Sequence, residues 1–510
     1  MNVNNAMYPL PASWSGVSKL QDQLNTLQQQ LASGKKASTL AEMGTSRFAD
    51  LSVRSQITKL GAYDTNINTV NLRLNMMNTV LTSLGTINSS ARSSSTPGAY
   101  GTNNINLTTA PSTAQTQLDQ VISSLNTDLN GHYLFGGGTT QSPPMATSDA
   151  AMNGSGSLAG FKTVAAQRLQ ADQGADGLGR LTLSTTADTT TLAEDGAHPF
   201  GFKLASVGTS SPAVTVTQPT GSPASLSVQF TAQPAAGDTV SIGLNLPDGS
   251  TDSLAMKAVT GTPQNPGEFQ IGATPDDTAA NFNAALQSSL TTEGSTKLAV
   301  ASNFAAANGF FNTSGQTVQR VAVDTTTNSY YAATSFETPA QAAGDTVQWY
   351  TGENDATDPR ASVSTKVDDS INVNYGVEGN EVGFARLVRS LAVQAIQTYP
   401  SSTPAQLATS QAKFDAVANG QLSNLSATND SASGSLVSVG VDLGLAQTTL
   451  KNLSDQHKAY SAQLQNVLSD AELADPNTVA SALLQLQTQL QASYSATAMI
   501  SQLQLANYLK

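Results

Sequence analysis

The stretch LVSVGVDLGLAQTTLKNLSDQHKAYSAQLQNV, residues 436–467, carries one pattern from end to end. Leu436, Leu443, Leu450, His457 and Leu464 recur in sevens, and Val439, Ala446, Leu453, Tyr460 and Val467 recur in sevens three residues behind them. Alternating spacings of three and four put both sets on one helical stripe, and a stripe this long is a coiled-coil seam rather than the face of an ordinary globular helix. A seam needs a facing stripe. The chain supplies one near its other end, where Val53, Leu60, Ile67, Leu74 and Leu81 repeat in sevens and Tyr63, Val70, Met77 and Leu84 follow the last four of them by three. The predicted fold class is therefore α+β: a long α-helical coiled-coil rod formed by both termini, with an inserted β-rich variable region. Residues 53–84 are expected to pack against residues 436–467.

Outward from these two helices, residues 1–16 with Pro9 and Pro11 read as extended chain. Val17, Leu20, Leu24, Leu27 and Leu31 then give a short amphipathic helix that stops at Ser33-Gly34, with Lys35 and Lys36 just past its end. The long helix that follows spans about residues 48–92, roughly 65 Å at 1.5 Å per residue. Ser112, with Gln115 three residues on, reads as the start of a third helix burying Ala114, Leu118, Val121, Ile122 and Leu125 and ending at Asn130-Gly131. Between about 136 and 343 the texture changes to Thr, Ser, Ala, Gly, Asp and Pro. Period-two segments appear at Val214/Val216, Leu226/Val228/Phe230 and Val240/Ile242/Leu244/Leu246, with one helix over about 278–290. The hexapeptide 235–240, AAGDTV, recurs at 342–347, which suggests either a duplicated module or two strands entered through the same turn. A hairpin over 347–375 precedes helices at about 380–399 and 405–425. Asp475 and Pro476 open a last helix carrying Val479, Leu483, Leu486, Leu490, Tyr494, Ile500 and Leu503. The chain thus divides into an N-terminal helical segment, 1–139, a β-rich surface region, 140–345, and a C-terminal hairpin and helical segment, 346–510.

Composition narrows the function. Among 510 residues there are 28 aromatics, 12% charged residues and a net charge of -13, so no basic patch exists to hold nucleic acid or an anionic membrane. There is no cysteine, which removes disulfides, thiolate metal sites and cysteine nucleophiles. Residues 1–16 carry no basic residue and no apolar run of signal-peptide length, and no segment approaches a membrane span, so export without a cleaved signal peptide is the expectation.

The sequence offers few candidates for catalytic chemistry. The three histidines are His132, His198 and His457, and the last lies in the seam, where a polar residue sets register. Gly136-Gly137-Gly138 has no following Lys-Ser/Thr and reads as a flexible turn rather than a phosphate loop. Asp172, Asp176 and Gly177 hint at a calcium loop but meet no calcium-loop spacing and read as a solvated loop. Asp368-Asp369 reads as a hairpin turn. No enzyme, metal or cofactor site is expected.

Several motifs resemble one family. LQQQLASGKK at 27–36, followed by the long heptad helix, is similar to the helix, Ser-Gly and basic signature of bacterial flagellins and their junction relatives. DAELAD at 470–475 and the Gln-rich final helix look like the family's C-terminal segment, so the resemblance covers about 17–140 and 346–510. Where the family usually carries paired Asp, residues 37–46 have only Glu42. NGHYLFGG at 130–137, WYTG at 349–352 and the ending LQLANYL at 503–509 resemble the hook–filament junction (hook-associated) branch. The resemblance implies a structural subunit of the flagellum, extracellular and self-assembling, of the junction branch, with the main filament subunit, flagellin, as the alternative. A secreted adhesin with a helical stalk is the reading from a different class. The implied partners are further copies, other axial proteins (hook-associated proteins and flagellin) and an export chaperone on the C-terminal helix. The candidate assembly residues are Val17, Leu20, Leu24, Leu27, Leu31, Leu483, Leu486, Leu490, Tyr494, Ile500 and Leu503. Within one chain these two end stripes have few evident partners, and short helices are marginal in water alone, so ordering on assembly is expected.

Overall fold

The computed structural model describes residues 10–94, 96–313, 315–354 and 358–508, with side chains described from 14 and up to 502. In chain order the elements are helices α1 (Leu10–Ser33), α2 (Ser46–Ser94) and α3 (Ile105–Leu125), then strands β1 (Asp128–Leu129) and β2 (His132–Tyr133), then α4 (Ser148–Asn153) and α5 (Phe161–Gln173). The middle of the chain continues with β3 (Leu181–Thr186), β4 (Thr189–Glu194), β5 (Lys203–Thr209), β6 (Val214–Gly221), β7 (Ala224–Phe230), β8 (Thr239–Asn245), β9 (Thr251–Val259) and β10 (Glu268–Gln270). After it come α6 (Pro275–Ser295), α7 (Lys297–Phe310), α8 (Pro339–Asp345), β11 (Ser364–Lys366), β12 (Asn372–Asn374), α9 (Val382–Ala395), α10 (Pro404–Asn424), α11 (Leu436–Glu472) and α12 (Pro476–Tyr508). Long helices at both ends and strands between them make the fold α+β.

Helix starts follow local chemistry. Thr274, Thr338 and Thr403 each cap a helix whose first residue is proline, accepting from the backbone N–H of Asp277, Gln341 and Gln406. Asp475 does the same before Pro476, accepting from Asn477 N at 3.0 Å. Several boundaries differ from the sequence reading. Helix α1 includes residues 10–16, because a proline at 11 falls in the first turn, where no N–H is missed. Helix α3 begins at Ile105 rather than Ser112 and carries Pro111 inside it. Gln115 is not a cap: it donates to Asp119 at 2.9 Å. Helix α3 ends at Leu125, not at Asn130-Gly131. Those two residues, at φ of 55° and 78°, turn the β1–β2 hairpin, as Asn-Gly does between paired strands. The repeated hexapeptide is no duplication: its first copy leads into β8 and its second ends α8. Residues 347–350 form no strand of the expected hairpin; the hairpin is β11–β12 alone, with Asp368 and Asp369 in its turn.

The chain divides into two compact units. The first takes residues 1–70, 366–372 and 448–510, and the second takes 71–365 and 373–447. In the first, the leading part of α2 runs antiparallel to the trailing part of α11. Ser454 Oγ donates to Asp64 at 2.9 Å and Tyr460 OH to Gln56 at 3.1 Å. In the second, the other parts of the same helices pair in the same sense, with Gln447 Nε2 donating to Asn75 at 2.7 Å. Ile67, Val70, Leu74, Met77, Leu81 and Leu84 are buried on α2, as are Val439, Leu443, Ala446, Leu450, Leu453 and Leu464 on α11. Tyr460 and Val467, expected in the seam, are 47% and 51% exposed. Past Leu450 the buried positions are Leu453, Ser454, His457 and Leu464, with Ser461 half-buried, so the stripe has slipped by one residue. A helix turning every 3.6 residues drifts off a strict seven-residue repeat, and without supercoiling the hidden face follows the helix.

The second unit holds the strands. Sheet β3-β4-β7-β6 is antiparallel, and sheet β10-β9-β8-β5 is antiparallel except for the parallel β9–β10 pair. Their inward alternation joins α6, where Phe230, Phe269 and Phe282 meet edge to face at 5.2–5.9 Å. The three period-two segments became β6, β7 and β8. Strands β3 and β4 are hidden in the sequence because Thr takes inward positions as well as outward ones, Thr185 and the buried Thr190 among them, which breaks the alternation. Helix α7 packs on α5, α9 and α10, and Arg389 Nε donates to Phe311 O at 2.8 Å just past its end, where a cation is favoured.

Glu381, ahead of α9, is 6% exposed and ion-paired with Arg360. Burial pushes its carboxyl up to about 7, against the opposing pull of Arg360.

Two outcomes follow. Leu450→Ala should destabilise the first unit by about 2–5 kcal/mol by leaving a cavity, while Val467→Ala should change stability by less than about 0.5 kcal/mol, both read from urea unfolding followed by helical circular dichroism. Because the folded carboxyl of Glu381 binds its proton more tightly than the unfolded one, its contribution is fully present below the ordinary carboxylate range and is lost as pH rises through about 7. Stability of the second unit should therefore fall by on the order of 2–3 kcal/mol over that rise, and Glu381→Gln should flatten the slope in unfolding titrations.

Candidate assembly surface

The two terminal helices lie in the first unit and cover one another, which corrects the expectation that the end stripes have few partners within the chain. Helices α1 and α12 run antiparallel. The Ser-Gly-Lys-Lys turn after α1 pairs with the segment joining α11 to α12: Lys36 N donates to Glu472 O at 2.7 Å, and Ala474 N to Gly34 O at 2.9 Å. Gly34 takes φ of 67° there, which a side chain would strain. Arg54 ties the same corner by pairing with both Asp50 and Glu472. Farther along, Gln21 Nε2 donates to the Tyr494 hydroxyl at 2.7 Å.

The pairing is incomplete. Of the candidate assembly residues, only Leu486 and Leu490, each 6% exposed, are buried. Val17, Leu20, Leu24, Leu27 and Leu483 are half-buried, while Leu31, Tyr494 and Ile500 remain 47%, 49% and 43% exposed. Leu503 lies on α12, and its side chain is outside the described residues. Leu27 and Leu486 line a hollow of about 430 Å³ between the two helices, rimmed by Gln23, Gln485 and Gln489. A glutamine rim can hydrogen-bond to water or to a further helix with equal ease, so the hollow can be filled without burying a charge.

The sequence reading missed part of this surface. Trp14, Leu40, Phe48, Leu484 and Met499 are 69%, 46%, 74%, 65% and 59% exposed and belong to no single heptad stripe. Among the described residues, twelve of the twenty large exposed hydrophobics fall in the first unit, although the second is the larger by far. Monomeric surfaces rarely concentrate apolar area in this way unless something binds there. The isolated Leu484 and Met499 on α12, off the first stripe, were the available signal.

Among the described residues no cluster of His, Cys, Asp or Glu could hold a metal ion, and no helix is long and apolar enough to cross a membrane. The Gly-rich turn is closed to phosphate. Gly138 N donates to the Glu353 carboxylate at 2.6 Å, and a Cβ on Gly137 (φ 60°) would sit 2.9 Å from Glu353 Cβ. Asp172 is not part of a solvated loop: it is fully buried, and its two oxygens accept from Arg168 Nε at 2.8 Å and from Gly201 N at 2.9 Å inside the fold. Asp176 is exposed and accepts from Leu178 N. His198 is buried against Asp195 at 2.6 Å, and burial lowers its affinity for a proton.

Residues 4–140 match the family model for the bacterial flagellin N-terminal helical region. The N-terminal part of the chain is that of the bacterial flagellin family. The match takes in α1, α2, α3 and the β1–β2 hairpin, which are the elements that present the first half of the apolar surface and the facing stripe for α11. No curated protein matches the chain. The match supports the coarse function only: a flagellin-family structural subunit of the flagellum, an extracellular assembly built by self-association.

Leu486→Asp should separate the terminal helices, because it leaves a charge under α1 without a partner. The check is amide exchange: residues 17–31 should lose protection while residues 181–259 keep theirs.

Proposed function

We propose that the chain is the hook–filament junction (hook-associated) subunit of the bacterial flagellum, contributing to motility by joining neighbouring axial proteins through its terminal helices. The observation that supports assembly is the concentration of exposed apolar side chains in the first unit, on and beside an α1–α12 pair that only partly covers itself. Val17, Leu20, Leu24, Leu27, Leu31, Leu483, Leu486, Leu490, Tyr494, Ile500 and Leu503 are its proposed contact residues, joined by Trp14, Leu484 and Met499. Burying each large side chain between copies is worth roughly 1.5–3 kcal/mol before the cost of ordering. The proposed partners are further copies, hook-associated proteins, flagellin and an export chaperone on α12.

The junction branch is supported by two segments with defined places in the second unit. In NGHYLFGG, Leu134 and Phe135 are buried and Phe135 packs edge to face on Phe384 at 5.9 Å. In WYTG, Trp349 is buried, donates to Asn312 O at 3.1 Å and meets Phe311 at 5.5 Å. We assign residues 1–139 and 346–510 to the axial part and residues 140–345 to the variable surface region, and we assign no enzymatic activity.

Gene deletion separates this reading from the filament alternative. Loss of a junction subunit should leave cells shedding intact filament protein into the medium, detected by immunoblot of the culture supernatant. A deletion strain with no filament protein in either fraction would identify the chain as the filament subunit instead.

A further inference from the structure

His457 lies in the seam of the first unit. It is 6% exposed, yet neither Nδ1 nor Nε2 has a hydrogen-bond partner. A neutral imidazole in that position strands one donor and one acceptor, which costs stability. Three elements face it. From α2 come the Tyr63 ring, with centroids 6.0 Å apart, and Asp64, which accepts from Ser454 Oγ. From α11 itself, Lys458 shares with His457 and Asp64 a hollow of about 320 Å³ beside Leu60 and Gly61. From the tip of the β11–β12 hairpin comes Asp368, whose Oδ2 stands 3.8 Å from Nε2.

Among the described residues, the tip's other side-chain hydrogen bonds and ion pairs to a helix run to α2, and Val367 beneath it is fully buried. Lys59 pairs with Asp369, Tyr63 OH donates to Asp369 Oδ1 at 2.9 Å, and Asn66 Nδ2 donates to Lys366 O at 3.2 Å. The lysine and the hydroxyl hold the Asp369 carboxyl below its ordinary range, so this fastening persists across the range in which imidazoles change charge. The positive charges nearby are Lys59, committed to Asp369, and Lys366 and Lys458; the negative ones are Asp64, Asp368 and Asp369. Asp368 has no committed cation of its own.

We propose that His457 is a proton-operated latch that fastens the β11–β12 hairpin tip to α11. With the ring neutral, the tip's polar ties run to α2 and the rest of its hold is apolar packing. With the ring protonated, both nitrogens become donors, and the imidazolium pairs with the Asp368 carboxylate. The tip then bridges α2 and α11 and clamps their register. Because the pair exists only with the proton on, the latch is closed on the acid side and opens as pH rises. The argument stands on this geometry and not on the flagellar reading.

The test uses hydrogen exchange of the full-length chain at about pH 5.5 and about pH 8, corrected for the chemical pH dependence of exchange. Wild type should show at least about threefold greater protection of residues 364–374 on the acid side. Asp368→Asn and His457→Leu should both abolish that ratio; the first changes an exposed turn, and the second keeps the seam apolar and folded. Residues 382–395 serve as an internal reference in the same spectra. Equal protection at the two pH values in wild type overturns the proposal. So does a ratio that survives in either variant, since another group would then be titrating.

Discussion

An apolar stripe on a helix has to be covered, and the stripe on α11 is covered by α2. In the first unit Leu450, Leu453, His457 and Leu464 are buried on α11, and Asp64 and Gln56 take the hydroxyls of Ser454 and Tyr460 across the pairing. In the second, Val439, Leu443 and Ala446 are buried and Asn75 meets Gln447. Along its length the seam is thus tied by neutral amides, hydroxyls and one carboxylate, with one ion pair, Arg54–Glu472, at the end of α11. Exposed ion pairs contribute little, whereas a buried polar group left without its partner is costly. Most of the selectivity for this register therefore lies in which small polar groups find one another.

The slip of the seam shows how far periodicity alone can be read. The seven-residue repeat located both helices and paired them correctly, because the repeat and the helix agree over two or three turns. It placed Tyr460 and Val467 inside because it assumed supercoiling for the whole length. The start of a helix was read from a capping residue before proline at Asp475-Pro476. Thr274, Thr338 and Thr403 carry the same signal with threonine, and it was passed over there. The β1–β2 hairpin was equally legible in Asn130-Gly131, but the end of α3 claimed those residues first. Strands β3 and β4 were not legible. Thr is a good strand former whichever face it takes, so runs such as 182–191 show no alternation between apolar and polar residues.

The assembly surface was half legible for a related reason. A heptad search finds the stripe that one partner covers and passes over residues that a second partner would cover. Leu483, Leu486 and Leu490 face α1, and Leu484 and Met499 point elsewhere. A helix with apolar residues on two sides has two obligations, and within the chain α12 meets one of them. Tyr494 lies between the two: its hydroxyl accepts from Gln21 while half of its surface remains open.

Low charge is the other side of the same design. A surface meant to meet copies of itself gains little from like charges, which repel across every repeated contact and must be desolvated. The α1–α12 pair follows that rule. Lys35 and Lys36 sit at its base, and Lys36 reaches the carbonyl of Asp470, so the cation caps the backbone instead of facing outward along the pair. Gln23, Gln485 and Gln489 line the flank between the helices and Gln21 donates to Tyr494 beside them, all amides able both to donate and to accept. A carboxylate or ammonium in their place would need an opposite charge on each incoming neighbour. An amide can satisfy another amide in either orientation, so one repeated surface can meet an identical copy and a related but different subunit alike.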